Sequence, residues 1–203
     1  MTAVDDDADV TTRARGLLGR LLHGHGVTVR ITEVEAYGGV ADRASHAFTR
    51  TARSEIMYGP PWRLYVYRSY GIHHCANVVT GPTEQAAAVL VRAGAVVDGI
   101  DIARERRGPL VPDDGLARGP GNLAQALGLT LDDLGTDLLS AEGVHLGPEV
   151  ETPGDVLSGP RVGVSQAADV PWRFWLADEP SVSAYRRNPR AARMETANSN
   201  PAL

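Results

Sequence analysis

Residues 63–79 read RLYVYRSYGIHHCANVV, and they hold three of the six tyrosines, two of the six histidines and the only cysteine of the chain. From Leu64 to Tyr67 branched aliphatics alternate with aromatics, the period of a half-buried strand. Ser69-Tyr70-Gly71 reads as a turn, because glycine accepts the positive φ that tight reversals require. Strand character resumes from Cys75 to Val79. The stretch predicts a β-hairpin with a tyrosine at its tip. Two fates are open to that ring. It fills a core, or it stands exposed until something receives it, and unstacked nucleic-acid bases are natural receivers.

Upstream, VTVRITEVEA (27–36) alternates as a strand and then breaks register at Glu33-Val34-Glu35, just before Tyr37-Gly38-Gly39. Two glutamates there suit either a site or an edge strand with solvated carboxylates. Between strand and hairpin, residues 40–62 predict a long irregular connection carrying His46, Arg50 and Arg53; connections of this length are functional or disordered. Downstream, residues 85–97 are an apolar run broken by Arg92 alone, and a buried arginine is costly unless it meets a carboxylate or a phosphate. Residues 98–107 predict a helix. Gly119-Pro120-Gly121-Asn122 opens another over 123–127, a turn type that can hold a phosphate and more often merely starts a helix. Residues 161–164 and 172–176 read as short strands, 147–160 as a loop.

At the start, Leu17, Leu18, Leu21 and Leu22 predict a helix over 13–22, with His23 and His25 in the turn that follows. The divisions expected are an acidic disordered arm (1–11), one domain (12–180) and a flexible basic tail (181–203) carrying Arg186, Arg187, Arg190 and Arg193. The net charge of −5 comes largely from Asp5, Asp6, Asp7 and Asp9. All 20 basic residues are arginine, which excludes a lysine Schiff base and suits phosphate recognition. One cysteine excludes an internal disulfide and fits a reducing cytoplasm; no run approaches a membrane span.

VEAY (34–37), DRASH (42–46), LYVYRSYGIHHCANVV (64–79), VLVRA (89–93), RGPGNLAQALG (118–128) and RVGV (161–164), in this order, closely resemble the alkyladenine (3-methyladenine) DNA glycosylase family over about residues 12–178. The resemblance implies an α+β single domain on a curved, mainly antiparallel β-sheet, with a protruding β-hairpin and flanking helices. It also implies removal of damaged purines from duplex DNA by base flipping, by a cytoplasmic monomer without metal, cofactor, membrane or obligate protein partner.

By that resemblance Glu35 is the catalytic glutamate, Arg92 the arginine beside the catalytic water, and the carbonyl of Val162 the remaining anchor. Tyr37, His46 and Tyr67 enclose the flipped base, Asn77 crowds the amino group of undamaged guanine, and Tyr70 wedges into the duplex. Arg50, Arg53, Arg118 and Gly121 are expected at the DNA backbone. Sequence periodicity alone does not choose between Glu33 and Glu35, which lie two apart on one strand. The sequence departs from the family at His73-His74 (an aromatic pair elsewhere), at Trp62 (a glycine elsewhere) and at Asn122. A different class stays open: a catalytically idle nucleic-acid-binding module, which would need Tyr70 and the arginines without Glu35 or Arg92.

Overall fold

Among the residues described in this computed structural model, 9–148 and 154–191, eight strands form one sheet. They are β1 (Leu21–Gly24), β2 (Val27–Tyr37), β3 (Leu64–Ser69), β4 (His73–Val79), β5 (Ala88–Asp98), β6 (His145–Leu146), β7 (Val156–Gly159) and β8 (Arg173–Leu176). The order is β3-β4-β5-β2-β1-β6, with β8 on the second half of β2 and β7 beyond it; every pairing is antiparallel. The sheet curls into a half-barrel, joined by α1 (Val10–Leu17), α2 (Ile100–Arg107) and α3 (Pro120–Leu127). This is the expected α+β domain on a curved antiparallel sheet.

The central strand β2 carries the feature that makes a site. Side chains alternate faces along a strand, so one inserted residue sends every later side chain to the opposite face. Val27, Val29 and Ile31 point into the main core, and so do Val34 and Ala36. The pairing with β5 shifts on both sides of Glu33: Ile31 faces Gly94, Glu33 faces Ala93 and Val34 faces Val91. Thr32 is thus the extra residue on β2 and Arg92 the extra residue on β5. The double bulge turns Glu33, Glu35 and Tyr37 away from the apolar core. Gly94 permits it, since a Cβ there would lie 2.2 Å from the Val29 side chain.

The hairpin β3–β4 forms in the register its alternation demands. Leu64 and Val66 pair with Val78 and Ala76 and enter the core, while Tyr65 and Tyr67 pair with Asn77 and Cys75 on the other face. Behind the sheet, α1 and α3 contribute Ala14, Leu17, Leu123, Ala124, Ala126 and Leu127. The 40–62 connection folds as three 3-10 turns and buries a smaller cluster that includes Ala47, Met57, Tyr58 and Tyr65. Trp62 has φ +65, a conformation that favours glycine. Its ring packs on the core with Arg13 and Arg20 over it at 5.7 and 5.5 Å.

Five expectations change. The first helix begins at Val10, inside the arm expected to be unstructured, because Asp9 caps it by accepting from the Thr11 and Thr12 amides; residues 1–8 lie outside the described residues. It ends at Leu17, Gly19 turns at φ +84, and Leu21 and Leu22 enter a strand paired with β2. Val156–Gly159, expected in a loop, is strand β7. Residues 161–164, expected as a strand, are a bend whose amides point at other partners. Residues 181–191 of the expected flexible tail pack on the domain, with Ser181 fully buried; Arg193 lies outside the described residues.

Candidate active site

The face of the sheet turned from the apolar core is the floor of a cavity of about 560 Å³. Four adjacent strands each give it alternate side chains: Tyr65 and Tyr67, Cys75 and Asn77, Leu90 and Arg92, Glu35 and Tyr37. His46 and Arg53 from the long connection form one wall, and Val162 to Val164 another. Tyr70 stands at the rim. The structure thus brings together Glu35, Arg92, Val162, Tyr37, His46, Tyr67, Asn77, Tyr70 and Arg53.

Glu35 is fully buried. Its Oε1 accepts the Val162 amide at 2.7 Å and an Arg92 Nη1 proton at 3.3 Å; its Oε2 accepts the Tyr37 hydroxyl at 2.8 Å. The Val162 N–H contacts Glu35, and the carbonyl of the same residue is the one the resemblance implied as an anchor of the catalytic water. Burial and the Glu35 carboxylate push the Tyr37 phenol well above its ordinary pKa, so Tyr37 stays a donor. Arg161, almost inaccessible, lies 4.8 Å over the Tyr37 ring and 5.4 Å over Trp172, and it is ion-paired with buried Asp42. The roles of Arg161, Asp42, Tyr65 and Trp172 escaped the sequence reading. The only signals were the DRASH, RVGV and LYVYRSYGIHHCANVV blocks that contain the first three.

The aromatic walls meet at right angles: the His46 ring is edge-on to Tyr67 at 4.7 Å, and its Nδ1 lies 3.0 Å from the Tyr65 hydroxyl. Burial of its inner edge, then the nearby Arg53 charge, push the His46 pKa down to about 4, so the ring is neutral at pH 7. Asn77 is buried, its side-chain N–H donating to the Tyr65 carbonyl at 3.0 Å. Tyr70, with φ +49 in the hairpin turn, is 89% exposed, and Ile72 beside it is 74% exposed. Of the two fates open to the tip ring, the structure has the exposed one.

The arginines separate. Arg53 caps the Tyr67 ring at 4.7 Å inside the cavity wall. Arg50 lies outside it, bonded to Glu55 and Glu84, and Arg118 is paired with Asp114. Gly121 opens α3 beneath the hairpin, where a Cβ would come within 3.0 Å of His73. Among the described residues, no group of three or more His, Cys, Asp and Glu side chains stands where it could hold a metal ion, and no helix is long and apolar enough to cross a membrane.

Residues 5–180 match the profile of the family described as methylpurine-DNA glycosylase. The chain is 55% identical over 190 residues to a protein of Mycolicibacterium paratuberculosis, covering 90% of this chain and 92% of that one. It is 54% identical over 191 residues to a protein of Nocardia farcinica, covering 90% of each. With one of Mycobacterium tuberculosis it shares 51% over 198 residues, 94% of this chain and 97% of the other. All three are provisionally named 3-methyladenine DNA glycosylases. The chain, with a buried glutamate on the floor of an aromatic cavity and an exposed tyrosine at its rim, belongs to the methylpurine-DNA glycosylase family, the DNA glycosylases of base-excision repair that remove alkylated bases.

Proposed function

We propose that the protein flips alkylated or deaminated purines out of duplex DNA and hydrolyses the N-glycosidic bond with a water activated by Glu35. The lesions are of the 3-methyladenine, 7-methylguanine, hypoxanthine and ethenoadenine class. The observation that carries the reading is Glu35 itself, a carboxylate removed from bulk water at the floor of a cavity walled by Tyr37, His46, Tyr65 and Tyr67. Breaking an N-glycosidic bond develops positive charge on the sugar. A carboxylate beside it stabilises that charge and takes the proton of the attacking water. Arg92 and the Val162 amide fix the carboxylate so that little reorganises during the reaction.

Base flipping leaves a gap in the duplex, and Tyr70 fills it. Aromatic–base stacking is worth about 1–3 kcal/mol per base and favours electron-poor, alkylated purines. Tyr37, His46 and Tyr67 enclose the extruded base, and Asn77 crowds the amino group of normal guanine. Arg53 at the cavity wall, with Arg50, Arg118 and the Gly121 turn farther out, meets the phosphates. The exposed carboxylate partners of Arg50 and Arg118 are surrendered at little cost, since such surface pairs contribute about 0–1 kcal/mol. The protein acts as a monomer.

Without lysine, the chain has no side-chain amine to attack the abasic sugar, so the product is an intact abasic strand. Duplexes carrying each of the four lesions, incubated with excess protein, test this directly. Free base should appear with the strand unbroken until hot alkali is added. Absence of excision on all four, or strand breaks at neutral pH with a borohydride-trapped covalent adduct, would overturn the reading.

A further inference from the structure

Glu33 does not line the cavity, yet it is fully buried and receives four hydrogen bonds. Its Oε1 accepts from Arg92 Nε at 3.0 Å, from Arg173 Nε at 2.6 Å and from the Ser183 hydroxyl at 3.0 Å; its Oε2 accepts the Ser183 amide at 2.8 Å. Ser183 also faces Arg92, its Oγ lying 3.4 Å from Nε and 3.3 Å from Nη2. Arg173, one strand over on β8, donates to the Ser183 carbonyl at 2.7 Å. Two glutamates and two arginines share this centre, so its formal charge cancels. Burial would lower the pKa of Arg92, but the charges of Glu35 and Glu33 outweigh it and hold the guanidinium charged.

The geometry has a consequence for Glu35. An arginine facing a single carboxylate takes both oxygens in a fork. Here the Nε edge of Arg92 is occupied by Glu33, and only Nη1 reaches Glu35, at the long distance of 3.3 Å. The Arg92 bulge aims the side chain along this line. We infer that Glu33, with Ser183, is a positioning residue for the glycosylase reaction: it holds Arg92 edge-on, so that Arg92 gives Glu35 one N–H at Oε1 and leaves Oε2, which accepts the Tyr37 hydroxyl, a second lone pair for the water. This rests on the proposed role of Glu35. It also gives the Ser181–Ala191 segment, which sequence composition marks as a tail, a place behind the catalytic centre.

The test is single-turnover excision of hypoxanthine from duplex DNA with saturating protein. Wild type is compared with Glu33→Gln, Ser183→Ala, Ser183→Thr and Arg92→Met, and with Arg92→Met combined with each of the first two. Glu33→Gln should slow excision by about 10²-fold, the scale of a misplacement of about 1 Å, with lesion-duplex affinity unchanged. Ser183→Ala should be slower than wild type, and Ser183→Thr, which keeps the hydroxyl, should recover most of the loss. In the Arg92→Met background, Glu33→Gln and Ser183→Ala should cost nothing further, because they act through Arg92. Multiplying losses, or losses that track melting temperature rather than the presence of Arg92, would show a structural role only and overturn the inference. If Glu33→Gln fails to fold, the Ser183→Ala cycle decides alone. An active wild type with full rates in both variants overturns this inference and leaves the function standing. A wild type that excises none of the lesions overturns both.

Discussion

The two ends of the cavity are built on opposite principles. At the floor Glu35 and Arg92, and behind it Glu33 and Arg173, are buried and each is held by several partners, so their positions are over-determined. At the hairpin tip, Tyr70 and Ile72 face solvent. Burying charges costs several kcal/mol per ion unless they are paired with good geometry. Leaving a tyrosine in water costs much less, and that area becomes available to a partner. The contrast teaches where each kind of work belongs. Groups that meet developing charge gain from being held still, whereas an exposed apolar tip is free to be covered when a partner arrives.

The largest expected effect breaks the rigid end. Glu35→Gln keeps the shape and removes the proposed base together with its negative charge. General-base loss alone is worth about 10²–10⁴-fold, so single-turnover excision should fall to the upper end of that range or beyond it. Lesion-duplex binding should persist or tighten, because one carboxylate no longer repels phosphate. Near-normal excision in this variant would mean that the buried carboxylates only support the fold.

Breaking the free end should reverse the pattern. Tyr70→Ala should weaken lesion-duplex binding by about 1–3 kcal/mol, the worth of one aromatic–base stack, with little change in melting temperature. A large loss of stability with unchanged DNA affinity would show that the tip is structural after all. Between the ends, Asn77→Ser opens a buried position of the wall. Excision of guanine and 7-methylguanine should rise relative to hypoxanthine, and an unchanged ratio would place selectivity elsewhere.

The smallest effect is one of pH. With its pKa pushed down to about 4, His46 titrates well below an ordinary histidine. The unfolded chain takes up this proton first as pH falls through about 6.5. The folded state therefore loses stability from about pH 6.5 down to about pH 4, with none lost to this group above that window. His46→Gln should flatten that part of the melting-temperature profile. It should leave no inflection near pH 6.5 in the excision profile of either protein.

How much of this was legible beforehand depended on how local the cause was. The hairpin and the body of β2 follow from a period of two within a few residues, and both appear where that period put them. The helix over 13–22 failed because Leu17, Leu18, Leu21 and Leu22 fit helical spacing equally well, while the deciding event is the turn at Gly19 and pairing with β2. The break of register at Glu33 was legible, but its cause was out of reach, because the double bulge is shared by two strands distant in sequence, with Thr32 the extra residue on one and Arg92 on the other. The choice of Glu35 came from the VEAY resemblance, and periodicity had no part in it. The packing of residues 181–191 was invisible because much of what holds the segment is main chain, as with the Ser183 amide and the Arg186 carbonyl.

That packing also sets an order of assembly. The contact from Glu33 to the Ser183 amide spans 150 positions, and the one from Glu35 to the Val162 amide spans 127. Contacts this remote form slowly, because loop closure comes before any reward. During synthesis the hairpin can fold while Glu33, Glu35 and Arg92 still wait for their last partners. A nascent chain that has not yet made Ser183 lacks the amide and hydroxyl that Glu33 accepts. Completion of this buried charge network is thus a late step of folding, behind the local hairpin.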